Sequence, residues 1–131
     1  MIKRQKWIKR QDLIDNPKTV YLFGDNDERK GFGGQARELR GEHNAVGIRT
    51  KKWPNNSSSS FYNDKEYESN IKKIDYDFET VKEFIKLGYN VVIPEDGIGT
   101  GLAGLKYHAP RTLAYINKKI KQLEGGDLSG S

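Results

Sequence analysis

Two sets of apolar residues recur at helical spacing in the second half of the chain. Ile71, Ile74, Phe78, Val81 and Ile85 follow one another at intervals of three and four, which puts them on one face of an amphipathic helix closing at Gly88. Leu113, Ile116, Ile120 and Leu123 repeat the stripe in a final helix. Pro110 fits the first turn of that helix, where a missing N–H costs nothing. The remaining apolar runs are short and read as strands. Residues 19–23 are rich in β-branched and aromatic side chains, and residues 91–93 have the continuous apolar character of a strand buried in a parallel sheet. Residues 45–48 give a shorter strand and residues 2–8 a more polar one. Residues 11–17 read as a turn or a single helical turn, because Pro17 disfavours helix just before it. Residues 35–40 predict a short helix ended by Gly41, and residues 55–60 a mobile polar loop.

Strands alternating with helices predict an α/β fold, a three-layer α/β/α sandwich with a mostly parallel sheet and right-handed crossovers. At 131 residues one domain, residues 1–124, suffices to bury a core without cross-links. The glycine- and serine-rich residues 125–131 read as a flexible tail. The chain has no cysteine and only two histidines, His43 and His108, so disulfides and thiolate metal sites are excluded. The apolar runs are too short to span a membrane and the start carries no signal-peptide pattern, so a cytoplasmic protein with no membrane partner is expected.

The net charge of +5 is concentrated at the start, where residues 1–52 carry 13 basic and 7 acidic side chains. That asymmetry suits an anionic ligand or a nucleic acid. It is equally the pattern of a solvated basic strand edge that deters edge-to-edge pairing.

Each of two strands is followed by a glycine-rich loop. The first runs from Gly24-Asp25-Asn26 to Gly31-Phe32-Gly33-Gly34-Gln35-Ala36, and the second is Glu95-Asp96-Gly97-Ile98-Gly99-Thr100-Gly101-Leu102-Ala103-Gly104. Glycine permits positive φ and close approach, so several backbone N–H groups can converge on one anion. Where such loops lead into helices, the helix N-termini add partial positive charge. In parallel sheets ligands bind at the C-terminal ends of the strands, where both loops are expected. A phosphate-bearing nucleotide is the ligand class this chemistry fits.

The second loop, with its apolar strand ending in Pro94, resembles the phosphate loop of macrodomains, which bind ADP-ribose. The first, from Asn26 to Gly33-Gly34-Gln35-Ala36, is similar to their other ligand loop. Gln11-Asp12-Leu13 stands where that family has a Gly-Asp-hydrophobic turn whose aspartate reads adenine. Ile48-Arg49-Thr50-Lys51-Lys52 resembles the strand end of the branch that removes terminal ADP-ribose with a lysine. The resemblance spans residues 6–120. It implies a macrodomain-like fold and a ligand set of Asp12, Asp25, Asn26, Gly33, Gly34, Gln35, Gly97, Ile98, Gly99, Thr100, Gly101 and Leu102, with no cofactor and no metal. That hydrolase branch has an aspartate two residues after the last loop glycine, where this chain has Ala103; Asp96 stands on the near side of the loop.

The catalytic candidates are therefore Lys51 and Asp96. A lysine desolvated beside Arg49 and Lys52 would have a depressed pKa and a nucleophilic neutral fraction; it is also an ordinary surface charge or phosphate contact. Asp12 is equally a helix cap, Asp25 and Asn26 an Asx turn, and His108 a capping or packing residue. Trp53, Phe61, Tyr62 and Tyr67 could stack on a base or anchor the polar loop. Three functions remain open: capture of ADP-ribose or a related NAD-derived nucleotide, hydrolysis of an ADP-ribosylated protein or nucleic acid, and nucleic-acid binding through residues 1–52 with no nucleotide pocket.

Overall fold

A computed structural model describes residues 1–126. Four parallel strands, β1 (Ile2–Gln5), β2 (Thr19–Asn26), β3 (Ala45–Lys51) and β4 (Asn90–Pro94), form one sheet in the order β1-β4-β2-β3. Helices α1 (Arg10–Asp15) and α2 (Ala36–Leu39) connect the first three strands, and α3 (Tyr67–Lys86) carries the chain from β3 back to β4. A short α4 (Leu105–His108) and the final α5 (Pro110–Glu124) follow. The sequence did not signal α4.

Strand alternation divides the core. Tyr21, Phe23 and Val92 point to one face and pack with Ile8, Leu13, Ala36 and Leu39 from the α1 and α2 side. Val20, Leu22, Val46, Ile48, Val91 and Ile93 point to the other, against Ile74, Phe78 and Val81 of α3 and Ile116, Ile120 and Leu123 of α5. The result is the expected α/β/α sandwich, with each strand's period of two serving two separate helix layers. The two helical stripes lie where the spacing puts them, although Ile71, Ile85 and Leu113 are only half-buried.

Several boundaries differ from the sequence expectation. The first strand stops at Gln5, which pairs with Pro94, the last residue of β4. With no neighbour beyond that register, residues 6–8 leave the sheet, and Ile8 turns in to become fully buried beside Leu13. The polar loop is anchored: Ser58–Ser60 forms a 3-10 turn, Ser60 is buried, and Lys52 N–H donates to Ser60 O at 2.7 Å. Gly125 caps α5; the rest of the expected tail, from residue 127, lies outside the described residues. Among those described, no helix is long and apolar enough to cross a membrane.

Candidate nucleotide cleft

The C-terminal ends of all four strands open onto one cavity of about 320 Å³. Lys6 and Trp7 line it after β1, Gly24, Asp25 and Asn26 at the end of β2, Thr50 and Lys51 at the end of β3, and Pro94 at the end of β4. The two glycine loops, residues 30–36 and 96–103, close its sides. They meet directly: a Cβ built on Gly33 would come within 2.9 Å of Leu102 Cδ1.

Both loops present backbone donors. Among the described residues, the N–H groups of 31–35 and of 98–103 donate to no protein acceptor. Gly97 and Gly99 hold φ of 89° and 84°, a conformation open to glycine and strained for other residues. Gly99 is buried, and its nitrogen lies 3.8 Å from where a Cβ of Gly24 would sit. Successive donors on a loop of alternating hand form an anion-binding concavity.

A register irregularity between Asp25 and Asn26 aligns Asp25 with Arg49 and Asn26 with Lys51. Such a bulge re-aims side chains at a strand end, and here the consecutive residues Thr50 and Lys51 are both buried and both line the cavity. Thr50 Oγ1 donates to Asp25 O at 3.1 Å. Lys51 Nζ donates to Asn56 Oδ1 at 3.2 Å and lies 5.1 Å from the centre of the Phe61 ring. Phe61 in turn stacks on His108 with ring centres 4.0 Å apart, which makes His108 a packing residue.

Burial pushes the Lys51 ammonium below its ordinary pKa. The expected contribution from neighbouring cations is not what the structure provides. Arg49 is turned onto Asp77 (3.1 Å) and Lys52 onto Glu66 (2.7 Å), so each carries its own carboxylate and desolvation is left as the cause.

The structure brings together every expected site residue except Asp12, yet gives several of them work within the protein. Asp12 does not line the cavity. It sits in the first turn of α1, where its Oδ2 accepts from Lys9 N–H and from Gln5 Nε2, both at 2.9 Å, the reach-back contact of a capping box. The Asp25 carboxylate is buried against Arg40 (2.6 Å) and Arg29 (3.2 Å). Asn26 closes a turn, accepting from Glu28 N–H and donating to Lys30 O. The Gln35 amide is spent on the backbone of Ile8. Asp96, Thr100, Gly101 and Leu102 are exposed on the second loop, while Ile98 is buried in the core beneath it.

Three of the four aromatic residues singled out from the sequence, Phe61, Tyr62 and Tyr67, are packed against other side chains. Tyr62 is fully buried with its hydroxyl donating to Asp27 at 2.5 Å, and Tyr67 lies edge-on to Tyr115 with Arg111 4.1 Å above it. Trp53 is exposed outside the cavity lining. The aromatic residues that do line it are Trp7 and Phe32, 42% and 66% exposed. Trp7 falls inside the strand expected over residues 2–8 and gives no signal there; for Phe32, an aromatic residue inside a glycine loop is the available one. Among the described residues, no group of three or more His, Asp or Glu side chains is placed to hold a metal ion.

A family described as "Family of unknown function (DUF7831)" matches residues 3–119, and the chain belongs to it. Neither a curated protein nor a solved structure matches the chain significantly.

Proposed function

We propose that the cleft binds ADP-ribose or a related NAD-derived nucleotide, with the diphosphate between the two glycine loops. The observation that carries this reading is the pair of facing loops whose N–H groups donate to no protein acceptor. Charge supports it: Lys6 and Lys30 line the cavity and enter no ion pair among the described residues. Dimensions support it too. The cleft crosses the sheet from β1 to β3, three strand spacings or about 14 Å, which spans a diphosphate and the sugar joined to it. The sequence resemblance of both loops to macrodomain ligand loops points to the same ligand.

Calorimetric titration with ADP-ribose, ADP and AMP tests the reading on the wild type and Gly101→Glu. Gly101 has no positive φ and nothing within 4 Å of a built Cβ, so glutamate leaves the fold intact and places a carboxylate among the donors. ADP-ribose binding that is tighter than that of ADP or AMP and vanishes in the variant is the expected result. Binding unaffected by the variant, or none at all, overturns the reading.

A second reading, release of ADP-ribose from a protein or nucleic-acid adduct, is favoured by one observation, the buried and pKa-depressed amine of Lys51 at the β3 end of the cleft. A neutral Lys51 would attack the distal anomeric carbon and displace the acceptor oxygen, which leaves with the amine's proton. The lysine–ribose adduct then opens to a Schiff base that water hydrolyses to ADP-ribose and free lysine, with Asp96 as the carboxylate on the same cavity. Lys51→Ala should then bind ADP-ribose and lose turnover, and borohydride should trap the wild-type adduct.

A further inference from the structure

We infer that the β1 end of the cleft is a stacking seat for a nucleobase, with Trp7 as its platform, and that the seat accepts nucleoside diphosphates without discriminating between bases. The inference rests on the nucleotide reading above and names the ligand class of the same site.

Trp7 lines the cavity although 42% of its surface is exposed, and the Arg37 guanidinium packs on its ring at 5.4 Å. Phe32 reaches the same cavity from the first glycine loop, 66% exposed. Large aromatic residues left open on a cavity wall offer π-faces, and stacking accepts any base because every base has one.

Strict base choice needs directional partners for the base edge; the free N–H groups of the loops are assigned to the diphosphate, and the candidate side chains are already occupied. Asp12 is held by Lys9 N–H and Gln5, and both functions of the Gln35 amide are held by Ile8. Asn26 is held within its own turn. Asp96 is exposed on the loop after β4, so it enters the test as a variant.

Trp53→Phe leaves Trp7 as the single tryptophan, since the chain has two. Its fluorescence is followed during titration with ADP, GDP, UDP and CDP, with calorimetry alongside and inorganic pyrophosphate as the base-free probe. All four nucleotides should quench Trp7 and bind within about tenfold of one another, in Asp96→Asn as in the parent. Trp7→Ala should weaken all four by about tenfold or more and leave pyrophosphate unchanged, while Trp7→Phe retains most of the affinity.

A preference above tenfold for one base overturns the inference, as does a Trp7→Ala protein that binds all four as before. In either case pyrophosphate binding that is lost in Gly101→Glu leaves the nucleotide reading standing. Failure of pyrophosphate, of the nucleotides and of ADP-ribose to bind removes both.

Discussion

The side-chain amide of Gln35 pairs with the backbone of Ile8 as a neighbouring strand would: Nε2 donates to Ile8 O at 2.9 Å, and Oε1 accepts from Ile8 N–H at 2.7 Å. Ile8 is fully buried. The pair ties the first glycine loop to the segment that leaves β1 and carries Lys6 and Trp7, so two walls of the cleft move as one.

Gln35→Ala strips both partners from a buried backbone. Leaving a buried donor and acceptor unpaired costs about 1–3 kcal/mol each, less where water enters. The variant should lose about 2 kcal/mol of stability in urea denaturation and bind nucleotide more weakly through a loosened Trp7. Stability equal to that of the wild type would show that the pair does not hold the two walls together.

The second loop distinguishes its glycines. A Cβ on Gly99 would run into Leu105, and φ there is 84°. Gly99→Ala therefore combines left-handed strain with overpacking and should cost about 2–4 kcal/mol. Gly101→Ala meets neither obstacle and should stay within about 0.5 kcal/mol of the wild type. Thermal melts of the two variants, compared directly, check the loop conformation without any ligand.

Beneath the first loop, Asp77 is 1% exposed and serves three groups: Arg49 N–H at 2.8 Å, the Arg49 guanidinium at 3.1 Å and Arg29 at 2.6 Å. Arg29 also donates to Gly47 O at 2.7 Å. Together Asp77 and Arg29 cover backbone groups of the edge strand β3, which protects it from pairing with another chain. Asp77→Ala leaves two guanidinium groups without that carboxylate and should destabilise by about 3 kcal/mol. The variant should also self-associate at high concentration, which light scattering would read; a stable, monomeric variant would contradict both roles.

Much of this architecture is legible in the chain because it is local. The stripes of α3 and α5 and the apolar core of β4 follow from spacing alone, and both glycine loops lie next to the strands that deliver them. The cleft's finer anatomy is nonlocal. Trp7 reaches the cavity only because β1 runs out of partner at Pro94, a fact about register between strands 89 positions apart (Ile2 with Val91). Asp25 and Gln35 have the right composition for ligand contacts, but Arg40 and Ile8 claim them first. The bulge that turns both Thr50 and Lys51 into the cavity leaves no mark on the sequence of β3.

Lys51 links the cleft to stability through its proton. Desolvation lowers its pKa in the folded protein, whereas the unfolded chain restores the ordinary value. Below the folded-state pKa both states are charged, and the full cost of burying the ammonium is present. Between the two values the unfolded state binds more protons, so stability rises with pH across that window. Lys51→Met keeps the length of the side chain and removes the titration. The variant should be more stable than the wild type near neutral pH, and its advantage should shrink as pH rises toward about 10, the ordinary lysine range. Urea midpoints of the two proteins at about pH 7 and about pH 10 measure this difference. An advantage that is constant or grows with pH would mean that the Lys51 ammonium keeps its solvation in the fold, and the nucleophilic role proposed for it would go with that.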